Sequence, residues 1–369
     1  MRSRTASHSP GAAHVFALPF LHLGVGRLVA DLALALAPST RCHVVTCGRD
    51  GHLGDDAALV AELQRHEVRF SHVDLFGRDQ DAMVTAARHL ARVCATERPA
   101  VVHALTAPAA AAALAHAPVV ASVVGWAKEK TREHRAMDVA ILERCRVVTA
   151  VSRAVMCELT EAGLARPDVE LVPNGVTTSD RVAARVWNGP PEPTVVGVMA
   201  QLIERKGVDV VVEAMGRISP AFRWRLLVGG AGPEEGALRA QVDRLGLATS
   251  VDWMGHLPVD RFLQQVDLVV VPSRSDALPM VLLHAMAAGR PVIATRVGGI
   301  PEALREAEDG LLVESDDPVG LATALEATLR APDAARVRAA SARARVETRF
   351  SHERMIERYR DCYARAAAA

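Results

Sequence analysis

Lys206, Asp276 and His284 are of types, and in settings, that suit gripping a diphosphate and sugar hydroxyls. Asp276 and His284 lie in the run LVVVPSRSDALPMVLLHAMAAGRPVIATRVGGIPEALREAEDG, which begins at Leu268. A carboxylate ahead of a helix accepts hydrogen bonds from sugar hydroxyls, and an imidazole one turn into the helix bonds a ribose hydroxyl as donor or acceptor. The run reads as a buried strand (268–271), a polar turn, a helix (281–288), a second strand (291–294) and a double glycine before Pro301 and Glu302. Such a βαβ unit offers a nucleotide diphosphate unpaired N–H groups and the positive end of a helix dipole, without a dedicated metal. Taken singly, Asp276 reads equally as a helix cap and His284 as a partly buried helical histidine.

The segment VVGVMAQLIERKGVDVVVEAM places Gln201, Arg205 and Lys206 in the loop after a strand, with Gly207 ahead of a helix. A lysine against a diphosphate neutralises leaving-group charge as a metal ion otherwise would; the alternative is a solvated loop cation. Lysine occurs only at 128, 130 and 206, so each marks a candidate. Gly24 and Gly26, in FLHLGVGRLVADLALAL, read as lying between the first strand and first helix, where backbone comes close to a phosphate or substrate. Leu28 or Val29 stands where a dinucleotide fingerprint needs a third glycine, which counts against a nicotinamide oxidoreductase. LLVGGAGPEEGAL reads as a tight turn, because Glu234 and Glu235 would repel a phosphate. Asp79-Gln80-Asp81 and Asp316-Asp317-Pro318 read as helix caps, and no Ser-His-Asp or Cys-His arrangement or metal-ligand spacing stands out.

These residues need a scaffold, and the chain is long enough for two Rossmann-sized domains at 369 residues, 50% of them hydrophobic. Lys plus Arg and Asp plus Glu balance at 43 each, which provides no global field for nucleic acid. Six scattered cysteines without a Cys-x-x-Cys suggest a reduced, cytoplasmic protein, and the Pro19-broken N-terminal stretch does not read as a signal peptide. The uncharged run 99–127 reads as strand, Ala-rich helix and strand, since Pro108, Pro118, His103 and His116 interrupt it as a bilayer span. No basic amphipathic helix compels a membrane assignment, which leaves peripheral contact through the arginines of the first domain open.

Strands and helices alternate up to about residue 172, dissolve into Pro, Gly, Asn and Thr over 174–193, and resume at 194. The stretch 334–365 is strongly helical, with Phe350, Met355, Ile356, Tyr359 and Tyr363 at helical spacing. The expected architecture is α/β, with two doubly wound parallel-sheet domains facing an interdomain cleft. Their bounds are 1–178 and 194–349, with a linker at 179–193 and a C-terminal helix at 350–369.

Taken together, the segments resemble glycosyltransferase family 4, retaining nucleotide-sugar transferases of the GT-B fold. QLIERKGVD, LLVGGAGPEEGAL, VDWMGHLP, VVVPSRSDALPMVLLHAMAAGRPVIATRVGGIPE and DGLLVES occur in family order, after VVHALTAP, TAVSRAV and LVPNGV. The resemblance implies that the second domain holds the nucleotide sugar, the first binds the acceptor, and the helix after Phe350 crosses back onto the first. It implies a catalytic pair in Lys206 and Asp276. The donor site would draw on Gly24, Gln201, Arg205, Ser273, Met280, Val281 and His284, with Gly255, His256 and Leu257 bordering the base. Acceptor contacts fall on His103, Gly125 and Trp126, and no metal or other cofactor is required.

The chain departs from the family pattern at four of these places. Gln201 stands for the diphosphate arginine, Asp276 for the first Glu, His284 for the second Glu, and Val124 for a histidine before Gly125-Trp126. Losing the arginine removes a bidentate contact of about 1.5–3 kcal/mol. Two readings follow: an active transferase using a different donor sugar, or a catalytically impaired GT-B binding or regulatory partner. The base, the sugar, the oligomeric state and the acceptor (a small molecule, a glycan or a lipid-linked sugar) are left open.

Overall fold

Strands buried on both faces, such as β7 (Val119–Val123), β13 (Leu268–Val271) and β14 (Val292–Thr295), dictate parallel sheets covered by helices on each side. The structure, a computed structural model, describes residues 13–21, 23–47, 49–50, 53–54, 56–74, 80–126, 131–177 and 193–368. It divides into two units, Met1–Pro173 with Met355–Ala369, and Asn174–Arg354.

In the first unit, β1 (Ala13–Ala17), β2 (Arg41–Thr46), β5 (Arg69–His72), β6 (Pro99–Ala104), β7, β8 (Val147–Ala150) and β9 (Glu170–Leu171) form one sheet. Its order is β5-β2-β1-β6-β7-β8-β9, parallel throughout, and the two-residue strands β3 (Arg49–Asp50) and β4 (Leu53–Gly54) pair separately. Helices α1 (Leu23–Leu36), α2 (Ala57–Arg65), α3 (Gln80–Glu97), α4 (Ala107–Ala113), α5 (Arg132–Glu143) and α6 (Arg153–Glu161) connect the strands.

The second unit has the order β12-β11-β10-β13-β14-β15, again all parallel. Its further strands are β10 (Thr194–Met199), β11 (Trp224–Gly229), β12 (Val251–Gly255) and β15 (Leu311–Val313). The helices are α7 (Val208–Met215), α8 (Glu235–Arg244), α9 (Val259–Leu263), α10 (Met280–Ala287), α11 (Ile300–Ala303), α12 (Pro318–Arg330) and α13 (Pro332–Arg349). The strand order turns back between β10 and β13, so loops leaving their carboxyl ends border the crevice where doubly wound sheets take ligands.

The C-terminal helical stretch is two helices. The chain leaves α13 at Phe350, whose carbonyl accepts from Val176 N–H at 2.9 Å, and α14 (His352–Ala368) begins after His352 N–H donates to Val176 O at 3.1 Å. The apolar side of α14 (Met355, Ile356, Tyr359, Cys362, Tyr363, Ala366) completes the core of the first unit. The Tyr359 and Tyr363 hydroxyls enter a buried polar network there. Tyr363 OH meets His103 Nδ1 at 2.8 Å, His103 Nε2 meets Ser122 Oγ at 2.7 Å, and Ser122 Oγ meets Thr149 Oγ1 at 2.7 Å and Tyr359 OH at 3.0 Å. His103 is only 1% exposed with both ring nitrogens engaged, so the acceptor role read for it gives way to one in the core. Among the described residues no helix is long and apolar enough to cross a membrane.

Candidate functional site

The loops that leave β10 and β13 lock together, backbone against backbone. After β10 the chain forms a single 3₁₀ turn (Glu204–Lys206) and enters α7 through Gly207 at φ 64°. A Cβ on Gly207 would stand 2.2 Å from the carbonyl oxygen of Pro272, so only glycine lets the turn lie against the β13 loop. Arg274 N–H donates to Arg205 O at 2.9 Å, and Arg205 Nη1 returns a bond to Ser275 O at 3.1 Å.

This interlock delivers Lys206 to Asp276. The ammonium Nζ pairs with Asp276 Oδ2, and Ser273 Oγ donates to the same oxygen at 3.2 Å. The Lys206 and Asp276 side chains are 18% and 10% exposed, so neither charge is merely a solvated surface group. Asp276 is not the cap of α10, whose N-cap is Pro279 with no side-chain capping bond. Its main chain is fixed from behind: Gly299 N–H reaches Asp276 O at 3.2 Å, and a Cβ on Gly298, at φ 51°, would fall 1.8 Å from that oxygen.

Helix α10 starts at Met280 with neither a side-chain cap nor an acidic residue in its first turn. The positive end of its dipole, with the first-turn amides of Met280 and Val281, therefore suits an anion. His284 is half-buried on the same helix, and Gln201 is half-buried just after β10. Gly255 ends β12 at φ 59° and accepts from Gly230 N–H at 2.7 Å, followed by exposed His256 and half-buried Leu257. The structure thus brings Lys206 and Ser273 into direct contact with Asp276, holds Arg205 against the neighbouring Arg274 and Ser275 backbone, and places Gln201, 255–257, Met280, Val281 and His284 in the same unit.

The remaining candidates lie in the first unit. Gly24 and Gly26 are inside α1 and not in a loop before it; a Cβ on Gly26 would stand 2.6 Å from the carbonyl carbon of Leu21, so close packing of the first helical turn accounts for it. Val124 packs half-buried on the core after β7, Gly125 is exposed with open space around its Cα, and Trp126 is half-buried. Lys128, Lys130, Asp79 and most of the 179–193 linker lie outside the described residues.

Arg274, on the loop after β13, is marked by no local motif in the sequence. Its Nη1 and Nη2 form a fork to Asp209 at 2.9 and 2.7 Å, Nη1 also reaches Glu204 O at 2.6 Å, and Nε reaches Asp316 Oδ1 at 2.6 Å. The bonds from Asp209 hold its guanidinium well above the ordinary arginine range. Asp317 alone caps α12, through Gly320 N–H at 2.8 Å, while Asp316 turns to Arg274. Among the described residues no three His, Cys, Asp or Glu side chains cluster as a metal site.

Residues 193–331 match the glycosyl transferases group 1 family and residues 23–180 match Glycosyltransferase Family 4. The D-inositol 3-phosphate glycosyltransferase of Acidothermus cellulolyticus is 35% identical over 205 residues, covering 48% of this chain and 46% of that one. The N-acetyl-alpha-D-glucosaminyl L-malate synthase of Bacillus anthracis is 30% identical over 242 residues, 60% of each chain. The chain spans about half the length of the curated relatives it matches. Anabaena HepE, solved in complex with UDP and glucose, superposes with a TM-score of 0.81 at 20% identity over 96% of this chain and 99% of that one.

Proposed function

The chain belongs to the family 4 glycosyltransferases with the GT-B fold, and we propose that it transfers a sugar from a nucleotide-diphosphate donor to an acceptor hydroxyl, with retention of configuration and without a metal. The observation that carries this reading is the Lys206–Asp276 contact on the two loops that leave β10 and β13, beside an uncapped helix N-terminus. The diphosphate takes the α10 amides, and Lys206 neutralises the charge that builds on the departing phosphate. Asp276, a methylene shorter than glutamate, shares Lys206 and accepts a donor-sugar hydroxyl, while His284 bonds the ribose. The bond from the sugar carbon to the phosphate oxygen breaks through an oxocarbenium-like state. The acceptor oxygen bonds the same face, and its proton passes to the phosphate oxygen that left, so no separate base is needed.

Gln201 and His284 retain hydrogen-bonding capacity where the family carries charge, which supports an altered donor preference over lost catalysis. The names of the two curated relatives carry D-inositol 3-phosphate and L-malate, and HepE was solved with UDP. Small anionic hydroxyl compounds and UDP-sugars are therefore the first substrates to assay. The six cysteines are all free thiols, which suits the reducing cytoplasm proposed for the enzyme.

Thermal unfolding with UDP, GDP, ADP, dTDP and their sugars, with NAD as control, tests the donor site. The matching nucleotide at about a hundred times its Kd adds about 2.7 kcal/mol of stability. No shift with any of them would transfer support to a GT-B binding or regulatory partner.

A further inference from the structure

We propose that Arg274 is a positioning residue that sets the donor-side geometry of Lys206, an inference that rests on the function proposed above. The residue itself faces protein on every donor atom. Its fork takes Asp209 at the start of α7, Nη1 takes the carbonyl of Glu204 in the lysine turn, and Nε takes Asp316 in the turn before α12. One planar cation thus ties its own loop to two segments remote in sequence, Glu204 to Asp209 and the turn at Asp316, while its backbone N–H holds Arg205 O at 2.9 Å.

The tie runs straight into the reactive pair. Lys206 is the last residue of the turn whose first carbonyl Arg274 grips, and Asp276 lies two residues beyond Arg274 on the same loop. Gly207 packs on Pro272 at the hinge of both loops, so the distance from Lys206 to Asp276 is set by the turn's orientation. Asp316 holds a left-handed backbone at φ 58°, uncommon for a residue with a side chain, while its carboxylate meets the guanidinium at 2.6 Å. A guanidinium fork is required because an ammonium at 274 cannot take Asp209, Asp316 and a carbonyl in one plane.

A double-mutant cycle with Lys206→Ala tests the proposal, read by calorimetry with whichever of UDP, GDP, ADP and dTDP binds the wild type most tightly. Arg274→Gln is expected to weaken that Kd about tenfold beside Lys206, and less than about twofold in the Lys206→Ala background. Arg274→Lys should be as weak as Arg274→Gln, and Asp316→Asn, which loosens one anchor and leaves the fork in place, should lose affinity in the same direction by about threefold. A merely structural Arg274 would weaken both backgrounds equally, and that additivity would overturn the proposal, as would full rescue by lysine. If the wild type binds none of the four nucleotides, the donor-site reading falls and this inference falls with it; binding with an additive cycle removes the inference alone.

Discussion

Lys206→Ala is expected to cut turnover by about 10²–10³-fold, the range seen when a preorganised donor to transition-state charge is removed. Lys206 holds the only side-chain cation in contact with Asp276 among the described residues, and under the proposed function the leaving diphosphate would depend heavily on it, Gln201 standing where the family carries an arginine. The loss belongs mainly in kcat, since charge on the leaving phosphate grows as the bond breaks. Stability should fall too, by about 1–3 kcal/mol, because Asp276 Oδ2, on a side chain 10% exposed, loses its cation and keeps the bond from Ser273 Oγ. Pairing steady-state kinetics with thermal unfolding separates the effects: Asp276→Asn in the Lys206→Ala background recovers the midpoint and leaves turnover low. Turnover unchanged in Lys206→Ala would remove the lysine from the chemistry.

Acid is expected to destabilise the first unit well above the carboxylate range. Burial depresses His14 to about 4 and His103 to about 3 from 6.5, so both are neutral in the folded chain and charge when it unfolds. Below 6.5 the unfolded chain binds more protons, and stability falls as pH falls through the window from 6.5 down to the folded values. At pH 5 each histidine costs about 2 kcal/mol relative to pH 8, about 4 kcal/mol together. His43 and His89 are lowered as well, chiefly by burial, and act in the same direction. Denaturant unfolding across pH 8 to 5 measures the slope, and His103→Phe should remove the share of about 2 kcal/mol that His103 contributes. A flat profile over that range would mean that both imidazoles charge freely in the folded protein.

The fold was legible where apolar runs leave no choice. β13 and β14 are buried along their whole length, so hydrophobicity marked them, and the polar turn between β13 and α10 carried Asp276 with it. Lys206 was legible through rarity, in a chain with only three lysines. Partners remote in sequence were not legible. His103 is bonded to a tyrosine 260 residues away, and nothing in VVHALTAP distinguishes a histidine aimed at that hydroxyl from one aimed at a ligand. Arg274 meets carboxylates 65 and 42 residues distant, so local pattern gave no sign of its fork. Gly24 and Gly26 were misplaced because a glycine inside the first helical turn and a glycine in the preceding loop look alike until the helix start at Leu23 and the packing of Gly26 on Leu21 are seen. The break at Phe350 falls where a separate C-terminal helix was expected to begin, but the backbone bonds to Val176 on either side of it left no local mark in the helical spacing across 334–365.

The most direct test of the central claim is to incubate the chain with a nucleotide sugar and a hydroxyl acceptor in a chelator and follow the anomeric signal of the product by NMR. The expected result is a glycoside formed with the donor's own anomeric configuration, nucleoside diphosphate released in equal amount, and no dependence on added metal. No glycoside with any nucleotide sugar that the chain demonstrably binds, or a product of inverted configuration, would contradict it.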